Sequence, residues 1–393
     1  MLKEWFTRLE SVREAVTREE REAVYRLRYN VYIGELKRKF PDADHGRKWL
    51  HDNEDEKPHT TILYTGTLAN MTGTLRVRTW GPGQVPPRES KWWSMERFPG
   101  IEAMTTAELG RLTVRPDARG RLILPALLRT AYEHCAGARR VDLAFCFCSP
   151  GLVRNYQRLG MSPFGGRLVD SGTGSIQIPL VTVLSDAAHF KRCGSFLEPV
   201  VKKYFGPGKR TPLDTAPLRK IIDTDEIPVE SDPAKVWEAV EEAFDPERSS
   251  ETFIDACAFA MKKLTRSGFV LNLKEGELLL REGISEKEVF VILDGAFEVF
   301  QAKRQICILA KGDLLGEVAF FSPSGQRTAS VRALTKGRLL VLRRKFLQEL
   351  THADPEMGYQ VLMNMSRVMA ARLERMLKGG QLTSNPSINT DAN

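Results

Sequence analysis

Residues 206–232, GPGKRTPLDTAPLRKIIDTDEIPVESD, hold four prolines and two glycines and carry no sustained helical or strand period. Proline fixes φ and removes a backbone donor, so such a stretch reads as a connector rather than part of a core. A chain of 393 residues is also too long for one ordinary core. The expected organisation is a domain at 1–205, a linker at 206–232, a second domain at 233–380 and a disordered tail at 381–393. Before the linker, helical and strand patterns alternate. Thr17 and Glu20 form a capping box, and Val24, Leu27, Val31 and Tyr32 recur on one helical face. Strand-like runs follow at 60–65, 72–79, 107–114, 141–148 and 176–183, with helices near 122–136 and 151–159, which predicts an α/β domain with a mixed sheet flanked by helices. After the linker, two short helical stretches at 234–244 and 251–264 precede a series of brief strands between Phe269 and Arg343. Gly276, Gly283, Gly295, Gly312, Gly316 and Gly325 punctuate them, as in a mainly-β antiparallel roll or barrel with flanking helices. A closing helix near 355–377 carries Met357, Val361, Met365, Met369 and Leu373 at helical spacing. That stripe suits a core face, a lid or the seam of a homodimer.

The net charge of +8 is unevenly spread, at +11 over residues 1–210 and −3 over the remainder. An anionic partner for the first half is the functional reading, and a solvated basic surface the structural one. No run approaches the roughly 18 apolar residues of a membrane span, and the first residues, MLKEWFTRLESVRE, lack the apolar core of a secretory signal, so a cytoplasmic location is expected. Cys135, Cys146, Cys148, Cys193, Cys257 and Cys307 show no CxxC or zinc spacing, so reduced, mostly buried thiols and no metal are expected.

The run GDLLGEVAFFSPSGQRTASVRA from Gly312 resembles the phosphate-binding cassette of cyclic nucleotide-binding domains, as in the catabolite activator protein. The resemblance makes Gly316 the point of close backbone approach, Glu317 the ribose 2′-hydroxyl ligand and Arg327 the phosphate ligand, with Val318 and Ala319 completing the turn. Arginine suits a phosphate because its planar fork spans two oxygens. Thr328 offers a hydroxyl to the phosphate or base. The regulatory ligand implied is cAMP, with cGMP as the other candidate.

In the first half, YRLRYNVY (25–32), DNED (52–55), GTLRVR (73–78) and ELGRLTV (108–114) come in the order and approximate spacing of the autoinducer synthases and related N-acyl amino acid synthases, which share the Gcn5-related acetyltransferase fold. The resemblance carries over substrate-binding roles to Arg28, Tyr32, Asp52, Asp55, Arg76 and Arg111. The family's tryptophan shortly after the aromatic is absent, and Arg38 stands near its place. An amine attacking a thioester must lose a proton, so a carboxylate is needed as general base, and Glu108 is the first choice. Side chains alternate along a strand, so Glu108 and Arg111 share a face only if a bulge intervenes. Asp52 and Asp55 suit the acceptor's ammonium, and Arg28 or Arg76 its carboxylate. Tyr156, in NYQRLGM, is the candidate proton donor to the thiolate leaving group. Val114, Arg115, Arg119, Gly120 and Arg121 are the donor-binding candidates. Coenzyme A users carry a glycine-rich loop there, whereas this chain has Leu122 and Leu124, which shifts the expected donor towards an acyl group on acyl carrier protein, with acyl-CoA as the alternative. Trp92, Trp93 and Phe98 are candidates for a lid over the acyl tail. The leading reading is a cyclic nucleotide-regulated N-acyltransferase that moves a fatty acyl group from acyl carrier protein, or acyl-CoA, to a small amine or amino acid. A cAMP-regulated protein-lysine acetyltransferase and a non-catalytic sensor are the alternatives. DNA binding is not expected, because too few residues follow the last helix for a helix-turn-helix.

Overall fold

The computed structural model describes residues 10–165, 168–170, 176–223, 229–230, 232–244, 253–265, 268–285, 288–377 and 382–383. They form two compact units, with the main division between Glu226 and Ile227.

The first unit is built on a mixed sheet. Its strands are β1 (Val12–Glu14), β2 (Thr60–Gly66), β3 (Met71–Trp80), β4 (Thr106–Val114), β5 (Leu143–Cys148), β6 (Ser162–Pro163), β7 (Val169–Asp170) and β8 (Ile176–Val183). Their order is β1-β2-β3-β4-β5-β8-β6, with β7 beside β8. Every pairing along that order is antiparallel except β4 with β5. All ten residues of β3 are buried, because both faces of the sheet are covered. Leu75 and Val77 face one core, where the Ile123–Glu133 helix contributes Ile123, Leu127, Leu128 and Ala131 at helical spacing. Trp80 faces a second core with Trp93, Phe98, Leu143, Phe145 and Phe164.

Two features of this sheet decide where chemistry is possible. Between β3 and β4, Thr74 pairs with Thr113 but Arg76 pairs with Gly110, so β4 carries an extra residue opposite Leu75. Between β4 and β5 the ladder spans only Thr106–Glu108 against Leu143–Phe145, so the rest of β4 leaves its parallel neighbour.

In the second unit, one five-stranded sheet runs Leu314–Leu315, Glu288–Asp294, Gly337–Arg343, Phe269–Leu273, Val229–Glu230. The other runs Leu278–Leu280, Ser330–Ala333, Phe297–Gln301, Arg304–Leu309, Leu382–Thr383. These sheets form the antiparallel roll expected from the glycine punctuation, apart from the parallel pairing of Leu382–Thr383 with Arg304–Leu309. Helices Pro233–Glu241, Ala258–Thr265, Arg344–Ala353 and Pro355–Leu377 flank it, and Val361 and Met365 of the last helix are buried in its core.

The stretch expected to be an unstructured linker contains the helix Ala216–Ile222. Its Leu218 and Ile222 pack into the Trp80 core, whose side chains supply the order that the local sequence does not show. Val229–Glu230 pairs as a strand with Phe269–Leu273. Of the tail expected to be disordered, Leu382–Thr383 is a strand, and the rest lies outside the described residues.

Candidate functional site

The site in the first unit is assembled by short-range self-capping and by the bulge. Asp52 caps the turn Asn53–Glu56: its carboxylate accepts from the Glu54 N–H at 3.1 Å, while the Asp55 carboxylate accepts from the Asp52 N–H at 3.1 Å. This reciprocal box fixes both aspartates in the DNED motif. The Arg18–Tyr29 helix begins at the expected Thr17–Glu20 box and continues as a π-helical turn, Asn30–Glu35, which places Tyr32 against β4. The Tyr32 hydroxyl donates to the Leu112 carbonyl at 3.0 Å, on the bulge itself.

At the bulge, Arg111 has φ of 55°, a left-handed conformation that costs a non-glycine residue about 1–3 kcal/mol and persists only where the surroundings hold it. The extra residue turns Arg111 to the face of Glu108, as the sequence required for the pair to act together. The guanidinium donates to Asp52 at 2.6 Å. Arg76, from β3, also donates to Asp52, at 2.7 and 2.9 Å, and lies 3.4 Å from both Glu108 oxygens and 3.5 Å from Asp55. Arg78 donates to Glu108 and, at 3.0 Å, to Glu54, with its guanidinium 4.9 Å from the Trp80 ring centroid. The Arg28–Asp55 pair closes the network at 2.8 Å.

Exposure separates these groups. The Arg28 and Asp55 side chains are 0% exposed, Arg78 3% and Arg76 6%, whereas Arg111 is 24% and Asp52 27% exposed. A ligand can therefore reach Asp52 and Arg111, while Arg28 and Asp55 form a buried brace beneath them. Burial pushes the Glu108 carboxyl up, but Arg76 and Arg78 outweigh it and hold the group below its usual range. Asp52 is likewise held below its usual range, by Arg76 and Arg111 against burial.

Tyr156 stands apart from the charged network. It lines an apolar cavity of about 50 Å³ on the other face of the sheet, with Leu75, Leu109, Leu112, Ala144 and Cys146. The bulge serves this side too, since the same extra residue brings Leu112 to the face of Leu109. Burial raises the Tyr156 hydroxyl well above its usual value, so it stays protonated. Trp93 and Phe98 do not line this cavity. Each is 1% exposed, and they pack on Phe145 from the opposite face of β5, because their large rings fill the Trp80 core. Trp92 packs beside them on Phe147.

Val114 ends β4, and the donor-loop candidates follow it. Arg119 makes a two-pronged pair with Glu35 at 2.6 and 2.7 Å, and Arg115 pairs with Asp117 at 2.6 Å, so both are engaged within the chain. Gly120 is left-handed and Arg121 exposed. Leu122 caps the Ile123–Glu133 helix without a side-chain hydrogen bond, and Leu124 packs against the core.

In the second unit, Gly316 has φ of 79° and opens the short helix Glu317–Phe321. A Cβ there would lie 2.3 Å from the Arg327 guanidinium. Arg327 is buried and donates to the Gly316 and Glu288 carbonyls, both at 2.9 Å. Glu317 is buried and accepts from Arg372 at 2.5 Å, and Arg372 also donates to the Leu314 carbonyl at 2.8 Å. Ala319 is buried, Val318 and Thr328 exposed. Arg78 and Arg372 were not singled out in the sequence. Arg78 is two residues along β3 from Arg76, a spacing that puts both on one face, whereas Arg372 carries no local signal.

Among the described residues, no group of three His, Cys, Asp or Glu side chains is placed to hold a metal ion, and no helix is long and apolar enough to cross a membrane. Of the six cysteines, all but Cys193 are buried.

Residues 23–182 match the protein-family model described as N-acyl amino acid synthase FeeM, and residues 270–354 match the cyclic nucleotide-binding domain. Among solved structures the chain is similar to FeeM, an N-acyl amino acid synthase from uncultured soil microbes, at 16% identity over 47% of this chain and 97% of that one, with a TM-score of 0.38. Among curated proteins, the Pycsar effector protein PaPycTIR of Pseudomonas aeruginosa is 24% identical over 30% of this chain and 39% of its own length. The CRP-like cAMP-activated global transcriptional regulator of Mycobacterium tuberculosis is 26% identical over 30% of this chain and 52% of its own. The chain thus spans between about two fifths and one half of these curated relatives. The first unit is an N-acyltransferase domain of the N-acyl amino acid synthase type, with a mixed sheet and flanking helices. The second is a cyclic nucleotide-binding domain.

Proposed function

We propose that the protein transfers an acyl group from a thioester donor, acyl carrier protein or acyl-CoA, to the amino group of a small amino acid, and that cAMP regulates the transfer. One observation carries the reading: a charged pocket and an apolar cavity lie on opposite faces of one sheet, beside the point where β4 leaves β5. Asp52 and Arg111 present opposite charges side by side, which matches the ammonium and carboxylate of an α-amino acid. The cavity is apolar, as an acyl group requires.

In the transfer, the deprotonated amine attacks the thioester carbonyl, a C–N bond forms and the C–S bond breaks. The ammonium proton leaves through water towards the carboxylates. Glu108, held ionised by Arg76 and Arg78, stabilises the positive charge on the attacking nitrogen better than it keeps a proton. Tyr156 delivers a proton to the departing thiolate, and the second nitrogen proton, released as the tetrahedral intermediate collapses, returns to Tyr156 through water, so that amide and thiol form with one proton released to solvent. In the second unit, Arg327 meets the cyclic phosphate and Glu317 the ribose hydroxyl.

Mass spectrometry of lipids from cells expressing the protein tests this reading. New N-acyl amino acids are expected with the natural chain and a large reduction with Glu108→Gln. Identical lipid profiles with and without the protein would count against catalysis and favour the sensor alternative.

A further inference from the structure

The chain lacks an aromatic at Arg38, where the resemblance expects one, and the structure supplies an aromatic from two residues further on. The Phe40 ring packs edge-on against Tyr32, with centroids 5.8 Å apart, and the Arg111 guanidinium lies 5.1 Å from the Phe40 centroid. Arg38 lies 5.4 Å from the Tyr32 centroid on its own account. The resulting layer is Arg38, Tyr32, Phe40, Arg111, and Asp52 accepts from the last of these. Tyr32 grips the bulge by its backbone, through the Leu112 carbonyl, and Phe40 covers the side chain that the bulge presents.

We propose that Phe40 is a positioning residue that sets acceptor specificity: its π-face orients Arg111 so that the enzyme prefers acceptors with a free carboxylate. The inference rests on the reading above, in which Arg111 receives that carboxylate. The physical basis is that a guanidinium on an aromatic face loses side-chain freedom but not its in-plane N–H groups: Arg111 spends its Nε edge on Asp52, at 3.2 and 2.6 Å, which leaves the Nη1–Nη2 edge for a two-pronged carboxylate. No other guanidinium of the network is comparably exposed, so the preference passes through this one contact.

The test compares leucine with leucinamide, and the best-used amino acid with its amide, in full-length protein supplied with an acyl carrier protein or acyl-CoA donor. Phe40→Ala is expected to lower kcat/KM for the acid by about 3- to 30-fold, the range of a cation–π contact, and to leave the amide and the donor KM unchanged. Phe40→Trp should restore the acid-to-amide ratio, and Phe40→Leu, which keeps volume without a π-face, should not. A parallel fall for acid and amide would make Phe40 merely structural, and an unchanged ratio in both Phe40→Ala and Phe40→Leu would overturn the proposal. Should Phe40→Ala fail to fold, the Leu and Trp variants decide it. Absence of any product from the natural chain would instead sink the functional reading on which it rests.

Discussion

At Arg111 the backbone accepts a strained conformation and the side chain is caught between Asp52 and Phe40. Replacing it by glycine removes the strain together with the guanidinium. Arg111→Gly should therefore leave thermal stability unchanged or slightly higher while raising the acceptor KM by at least about tenfold, as for a lost charged hydrogen bond. Arg28 and Asp55 predict the opposite split. Asp55→Ala leaves a guanidinium buried without its partner, which costs about 3–5 kcal/mol, so the acyltransferase unit should melt markedly lower in calorimetry. Acid should act through Asp52 and Glu108. Their folded values are depressed, so the stability they contribute is present above the ordinary carboxylate value of about 4 and is lost as pH falls through the depressed values. Melting temperature should hold from pH 8 to about 5 and drop below that, and Asp52→Asn should flatten the drop. The E-x-x-R spacing made the Glu108–Arg111 pair legible in the sequence, together with the bulge it requires. Which guanidinium a substrate can reach was not legible, because Trp93, Glu54 and Glu89 cover Arg78 from other parts of the chain.

Strands β2 to β5 and β8, the roll and the last helix follow from apolar periodicity and glycine spacing and lie close to where the sequence placed them. The helix Ala216–Ile222 did not show, since seven residues with a proline near the start have no readable period. Within β4, a Cβ on Gly110 would lie 2.3 Å from a Glu108 oxygen. Gly110→Ala should thus displace the carboxylate from Arg76 and Arg78 and reduce acyl transfer at least about tenfold, while thermal stabilisation by cAMP stays as it was. Loss of both together would mean general unfolding. In the second unit, Glu317 serves two elements, the cassette and the last helix through Arg372. Glu317→Gln should weaken cAMP binding by about 10- to 100-fold in calorimetric titration, the scale of a hydrogen bond to a charged group. Amides of the Pro355–Leu377 helix should exchange faster as well.

The whole chain joins two units whose fold classes were readable from the Pro-rich divide between a period that alternates and one that is all short strands. The proposed regulation requires a coupling free energy between them, for which about 1–3 kcal/mol, or about 5- to 150-fold in affinity or population, is usual. The central claim is that this chain makes an N-acyl amino acid and that cAMP sets how fast. The direct measurement is the rate of N-acyl amino acid formation by the purified full-length protein from an isotopically labelled acyl donor and mixed amino acids, with and without cAMP. A labelled product whose rate changes at least about fivefold with cAMP, and no longer does so in Arg327→Gln, is the predicted result. Tight cAMP binding with no labelled product from either donor would contradict it.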